Sequence, residues 1–456
     1  MRAPFTAAAR LARVHRGALA CAALAATLAL TGSAGATADR GGAATATEVL
    51  VDVRATRQVI NGFGTSNRVW SDPHLPNAPN VSIPASAQTQ ILSSLYGRLG
   101  LTRVRNVLDQ GVQRTRGGPF SFSGKLADDH VAFVKQARRF GLKTYFPGPV
   151  YMEPWMTADD VGAYVDWAMA MLKRWRAKGL EPAYYAPLNE PEINNDFSPQ
   201  WLRDVVLQLG KRLRANGFAT KLVIPDDENP RDAYTRAVAV LSDPAARRYV
   251  GAVAYHIYRW DKSWTGEIAK VRALATRYGL PVWMTEYSSR AYTDWGAALE
   301  WAEKMHVLLT AGGVNAIDYM WGYFGSWVKT DTMIAIDFDG STYRGHSATP
   351  LYWLTGHYSR FVRPGYARVA TTPSSGPVLV SAYKGPKQVV VVAVNPQNRS
   401  ERVTVRLRGT AVRGQVGRVR SSASERWRAL APVRASNGTF SETLPPQSIV
   451  TFVAGR

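Results

Sequence analysis

Two short stretches place a glutamate where a chain can do acid–base or nucleophilic chemistry. Ala186-Pro187-Leu188-Asn189-Glu190-Pro191 closes one β-rich run, and Trp283-Met284-Thr285-Glu286-Tyr287-Ser288-Ser289 closes another. The two glutamates stand 96 residues apart, close to three βα units of about 33 residues. If both runs are strands of one barrel, the side chains converge over its mouth, where such barrels carry their active sites. Two carboxyl groups facing one bond suit glycoside hydrolysis: one protonates the leaving oxygen, the other attacks the anomeric carbon or activates water. A lone Glu-Pro at a strand end also serves as a helix-capping carboxylate. The pair, with Asn189 before the first and aromatics around both, reads as catalytic.

The elements that must position this pair alternate between short β-rich runs and amphipathic helical runs. Eight strand candidates follow one another: 59–64, 102–108, 143–147, 183–189, 221–225, 252–258, 282–287 and 316–322. Helix-like stretches at 129–140, 158–178, 199–216 and 296–311 lie between them, and glycines at 141, 179, 217 and 279 stand where helices should stop. This alternation predicts an α/β fold, a (β/α)8 TIM barrel over residues 57–345. No glycine-rich phosphate loop follows an early strand, which argues against a nucleotide fold. Past about residue 349 the texture changes to one helix, 351–361, and short alternating runs at 377–383, 388–394, 402–407, 416–419 and 449–453. That block, 346–456, predicts a C-terminal antiparallel β-sandwich side domain, which the alternating stretch 48–56 joins as an N-terminal strand.

The rest of the chain bounds the function. Of 456 residues 46% are hydrophobic and 20% charged, which provides for a large core and excludes general disorder. One cysteine, Cys21, excludes a disulfide framework and a cysteine metal cluster. Arg2, Arg10, Arg13 and Arg16 precede an uncharged apolar stretch ending in Ala34-Gly35-Ala36. Residues 1–38 therefore read as a secretory signal peptide, and the mature protein is expected to be extracellular. The formal charge of +22 invites a polyanion, yet no long Lys/Arg run marks a nucleic-acid groove. Trp70, Trp155, Trp260, Trp264, Tyr287, Tyr292, Trp295, Tyr323 and Trp327 fall at or beyond the strand C-termini. Each alone fits a core; together on one barrel face they fit a cleft that stacks sugar rings.

Asn189-Glu190-Pro191 and Glu286 resemble the paired carboxylates of clan A glycoside hydrolases. Three further stretches resemble glycoside hydrolase family 30: Ile60-Asn61-Gly62-Phe63-Gly64, Ser359-Arg360-Phe361-Val362-Arg363-Pro364-Gly365 and Leu444-Pro445-Pro446-Gln447-Ser448. The resemblance spans residues 48–456 and implies a retaining enzyme with Glu190 as acid/base and Glu286 as nucleophile. It further implies that Asn189 bonds the sugar 2-hydroxyl, Arg105 keeps Glu286 ionised, Tyr258 of His256-Ile257-Tyr258 orients Glu286, and Trp321 floors the cleft. Glu153 departs from the family's strand-three loop and adds a third carboxylate near the cleft. Asp226-Asp227-Glu228 is read as a solvated loop, with substrate or cation binding as the other option, and Asp337–Ser341 as a turn. No metal or organic cofactor is expected. The expected partner is a polysaccharide or oligosaccharide, xylan ahead of β-1,6-galactan, with no nucleic acid, no stable membrane partner and a monomeric chain. Arg290 can meet a uronate, or simply be exposed. The reading from another class is a non-catalytic carbohydrate- or polyanion-binding protein on the same fold, which the intact glutamate pair opposes.

Overall fold

The structure, a computed structural model, describes residues 47–456 apart from 109–110, 124–125, 150–151, 192–196, 259–263, 290–291, 293, 327–329, 373–375 and 413. The leader read at 1–38, together with Trp260, Arg290 and Trp327, lies outside the described residues. Eight parallel strands form one sheet: Gly62–Asn67, Arg103–Leu108, Thr144–Pro149, Tyr184–Tyr185, Lys221–Asp227, Val250–His256, Val282–Glu286 and Ala316–Met320. Numbered along the chain, they are ordered three-two-one-eight-seven-six-five-four. The Ala186 N–H donates to the Pro147 carbonyl at 3.0 Å and so bridges strands three and four. The architecture is a (β/α)8 barrel.

Strand four has a two-residue ladder because prolines flank it at 182 and 187 and supply no N–H. Strand one starts at Gly62 rather than 59, since Val59 ends the sandwich strand and Ile60 bonds the Tyr366 carbonyl at 2.8 Å. The barrel floor is filled by Phe146, Ala186, Val223, Ala252, Ala254, Trp283 and Ala316, which come from six successive strands and meet inside the ring. Arg103 completes that floor: it pairs with Asp318 at 2.9 Å and lies 4.0 Å over the Trp283 ring. Gly64 leaves room for this pair, because a Cβ there would strike Asp318 and the Arg103 backbone. A side-chain period of two then puts Arg105 inward as well, one layer nearer the mouth.

The second domain is a nine-stranded sheet. Its order is Arg428–Arg434, Gln415–Ser421, Ser448–Gly455, Gln388–Asn395, Leu379–Lys384, Ala367–Thr371, Thr47–Val59, Glu401–Arg408 and Thr439–Leu444. Thr47–Val59 pairs antiparallel with Ala367–Thr371 and parallel with Glu401–Arg408. Gln388–Asn395 is buried on both faces: Val389, Val391 and Ala393 fill the sandwich, while Val390, Val392 and Val394 join the core of the barrel side. A three-stranded sheet, Tyr323–Phe324, Ile334–Asp339 and Thr342–Ala348, follows strand eight, and Gly340 at φ 57° turns its hairpin.

The three family-like stretches are seams between the domains. Ser359 donates to the Leu99 carbonyl and Arg363 to the Gly100 carbonyl, each at 2.6 Å. The Gly365 N–H reaches the Ile60 carbonyl at 2.9 Å, and the Trp295 indole the Gln447 carbonyl at 2.7 Å. Trp283 donates to Asn61 at 3.0 Å.

Candidate active site

Eight side chains from the ends of strands two, four, five, six and seven form one hydrogen-bonded network. Arg105, fully buried, is its hub. Its guanidinium reaches Glu286 Oε2 at 2.6 Å and Asp226 Oδ2 at 3.0–3.1 Å, and donates to Asn189 Oδ1. His256 Nδ1 lies 2.8 Å from Glu190 Oε1 and 3.9 Å from Glu286 Oε1, while its Nε2 faces Asp226 Oδ1 at 3.4 Å. The Tyr258 hydroxyl donates to Glu286 Oε1 at 2.9 Å, and Thr285 Oγ1 to Asp226 Oδ1 at 2.5 Å.

Backbone geometry holds the two acidic strand ends together. Glu190 and Asp226 both sit in the left-handed region, at φ 45° and 62°, and the Glu190 N–H donates to the Asp226 carbonyl at 3.0 Å. Such conformations cost a non-glycine residue about 1–3 kcal/mol and persist where packing over-determines them.

The network separates the two glutamates by environment. Burial pushes the Glu190 carboxyl above its ordinary range; the hydrogen bond and charge of His256 partly offset this, and the charges of Glu286 and Glu228 add to it. Burial alone would lower His256, but the charge of Glu286 and the contacts with Asp226 and Glu190 outweigh it and hold His256 up to about 10. Burial would also raise Asp226, yet the Arg105 charge and its His256 and Thr285 partners hold it well below the carboxylate range. Glu286 lies against a permanent cation. Glu190 and Glu286 thus present one carboxyl poised to keep a proton beside one paired with a guanidinium.

Glu190, His256 and Glu286 each offer one ligand atom, all within 4.8 Å of one another. A divalent cation there would face the Arg105 guanidinium already on Glu286, and both imidazole nitrogens are directed at carboxylates. The donor set fits proton chemistry better than a metal.

Two readings of acidic residues are corrected. Asp226 is not on a solvated loop: it is wholly buried at the end of strand five, and Asp227 beside it pairs with Arg236 at 2.8 Å. The signal was its place at a barrel strand end, the same rule that picked out the glutamates. Glu153, 1% exposed, accepts from the backbone N–H groups of Gly111, Val112 and Gln113 at 2.8–3.0 Å and from the Trp167 indole at 3.2 Å. It anchors the segment after strand two and has its acceptor sites taken.

The aromatics divide in the same way. Trp70 stacks on Tyr323 at 4.5 Å and donates to Gln136, so it packs the outer layer of the barrel. Trp155, half-buried, donates to the Gln113 carbonyl at 2.6 Å and tethers the same segment as Glu153. Trp295 belongs to the domain seam and Tyr323 is wholly buried. Trp321, 8% exposed after a cis peptide from Met320, lies beside Phe324 with Arg68 5.6 Å over its ring.

No protein-family model matches the chain. Among curated proteins it is 26% identical over 429 residues to the glucuronoxylanase XynC of Bacillus subtilis, covering 90% of this chain and 92% of that one. XynC of Bacillus subtilis strain 168 is 24% identical over 444 residues, with the same shares covered. Among solved structures, the family 30 subfamily 8 xylanase Xyn30A of Clostridium acetobutylicum is similar at TM-score 0.73 and 23% identity, over 90% of this chain and 100% of that one. A family 30 endoxylanase of Clostridium papyrosolvens C71 is similar at TM-score 0.70 and 22% identity, with the same coverage. The likeness first read from short motifs therefore runs the length of the described chain.

Proposed function

We infer that this chain is a glycoside hydrolase of the family-30 kind that cleaves β-linked xylan by double displacement. The observation that carries this is the Glu190–Glu286 pair. Carboxylate oxygens of the two lie within 4.8 Å of each other, which supports retention, for which the carboxyl groups stand about 5–5.5 Å apart; inversion needs about 6.5–9.5 Å. In the first step Glu190 gives its proton to the glycosidic oxygen while Glu286 attacks the anomeric carbon and forms the glycosyl-enzyme. Glu190, now a carboxylate, takes a proton from water, which attacks the same carbon and releases Glu286.

The neighbours serve those steps. Arg105 holds one carboxylate oxygen of Glu286, and the Tyr258 hydroxyl fixes the other. Since Arg105 holds the Asn189 amide oxygen, the contact of Asn189 to the sugar 2-hydroxyl is made by its amide nitrogen. The similarity to glucuronoxylanases supports xylan as the polymer. The leader composition supports secretion, and N-terminal sequencing of protein from culture medium should begin after residue 38.

Proton NMR of a xylooligosaccharide digest tests the chemistry. The first-formed reducing end should be the β-anomer; the α-anomer first would overturn retention. A panel of xylans and β-1,6-linked glycans with product sizing tests the substrate, and xylan left intact would remove it.

A further inference from the structure

The charge of the chain is unevenly placed. Residues 346–456 carry 16 Lys and Arg against 3 Asp and Glu, whereas residues 57–345 carry 34 against 28. The three acids of residues 346–456 are all engaged, Glu401 by Arg399, Glu425 by Arg420 and Arg428, and Glu442 by Arg418, and Asp52 of the N-terminal strand pairs with Arg408. Basic residues of this domain still far outnumber its acids.

One pair of arginines stands on a prepared surface. The helix Pro350–Ser359 presents Trp353, and the turn before strand Arg428–Arg434 presents Trp427, at φ 46°; both rings are half-buried and meet edge to face at 4.7 Å. The Trp427 indole donates to the Trp353 carbonyl at 2.7 Å, which locks the two together. Arg360 lies 4.1 Å over the Trp427 ring and Arg98 5.8 Å over the Trp353 ring. Among the described residues neither guanidinium has a carboxylate partner or a side-chain hydrogen bond. Burial holds Arg360 below its ordinary range, opposed by Tyr352 and helped by the like charge of Arg98. Two cations fixed side by side on aromatic faces, with no anion to neutralise them, are an anion site in waiting. A guanidinium over an aromatic face keeps its N–H edges for a planar, bidentate partner.

We propose that Arg98 and Arg360, laid on Trp353 and Trp427, form a second carbohydrate site that takes the carboxylates of a uronate-bearing polysaccharide. The choice of a polysaccharide rests on the glycanase reading above. The site is remote from the catalytic network: Arg98 ends the helical segment that precedes strand two, so it stands at the N-terminal end of the barrel, opposite the mouth. A polymer held there stays near the enzyme between cleavages, and the sandwich charge draws it in.

Affinity electrophoresis tests this on the full chain carrying Glu190→Gln, which keeps the polymer intact. Its migration through gels containing glucuronoxylan should be retarded. Adding Arg98→Gln and Arg360→Gln should weaken that binding by ~5–10-fold at low ionic strength, as expected for two lost charged contacts. The difference should vanish on carboxyl-reduced glucuronoxylan. Equal retardation of the two proteins, or an equal loss on the reduced polymer, would overturn the proposal. Tighter retention on duplex DNA than on glucuronoxylan would also overturn it, by assigning the site to phosphate. Arg98→Gln alone, at an exposed position, should give part of the effect and keeps the test valid should the double variant misfold. Hydrolysis of short neutral xylooligosaccharides should be unchanged by these arginine substitutions in an otherwise native chain. Absence of hydrolysis in the native chain would instead strike the catalytic reading and leave the binding result standing.

Discussion

Arg105 satisfies three acceptors at once, so its neighbours should fail together when it is removed. Arg105→Met leaves Asp226 and Glu286 buried without their cation, which should cost about 3–5 kcal/mol in denaturant unfolding along with most of the activity. The two glutamates should separate by role. Glu286→Gly should lower activity by several orders of magnitude, and azide should then give an α-glycosyl azide. Glu190→Ala should be far milder on substrates with a good leaving group, with azide giving the β-product. The pH profile reads the same asymmetry. Glu190 acts while protonated, so kcat/KM falls as pH rises through its raised pKa. Because His256 lowers that pKa, His256→Phe should move the alkaline limb to higher pH; a limb that stays in place would remove Glu190 as its source. Both glutamates were legible because each closes a β-rich run at a strand end. Asp226 was not, since Asp226-Asp227-Glu228 has the composition of a solvated turn. Only the register of strand five shows that the first acid points into the barrel and the second to Arg236.

At the scale of elements, the motifs that suggested a family do structural work. They bolt strand one and the segment before strand two to the sandwich, while the catalytic groups sit elsewhere. The tightest point is Gly356, where a Cβ would run into the Trp427 ring. Gly356→Ala should therefore destabilise the fold by about 1–3 kcal/mol in thermal unfolding without changing kcat on short substrates. Glu153→Ala strips three backbone N–H groups and an indole of their acceptor, and should cost about 2–4 kcal/mol. Exhaustive chelation should leave wild-type activity unchanged; loss restored by one cation would assign a metal to the carboxylates. Eight barrel strands were visible from the alternation of apolar runs with helices. The sandwich strands Arg428–Arg434 and Thr439–Leu444 were not, because the first is largely exposed along its length and the second is a short polar edge. The first shows no apolar period, and in the second the inward row Phe440, Glu442 and Leu444 is broken by the acid that pairs with Arg418, so the neighbouring strands fix both.

For the molecule as a whole, acid should be the condition that opens it, and buried histidines give the reason. His357, wholly buried in the helix that joins the domains, lies 2.9 Å from Thr451 Oγ1 and 2.8 Å from Ser421 Oγ. Thr451 already donates to the His357 carbonyl and Ser421 already accepts from the Trp427 N–H. The assignment that satisfies all four groups makes His357 a neutral ring with its proton on Nδ1. Burial, aided by the Arg360 charge, holds it down at about 3. His130, 1% exposed in the helix Ala127–Arg138, is held down at about 4 by burial, against the pull of Asp72. In the unfolded chain both take a proton near pH ~6.5. Between that pH and the native values the unfolded state binds more protons, so stability is complete above pH ~6.5 and drains away as pH falls towards 4. Each histidine should contribute a loss of about 2 kcal/mol between pH 7 and pH 5. His130→Leu isolates one of them, since the Nδ1 of His130 has no hydrogen-bond partner to lose. Denaturant unfolding of that variant at both pH values should show an acid loss smaller than wild type by about 2 kcal/mol. An unchanged difference between the two pH values would mean that His130 is already charged in the folded protein.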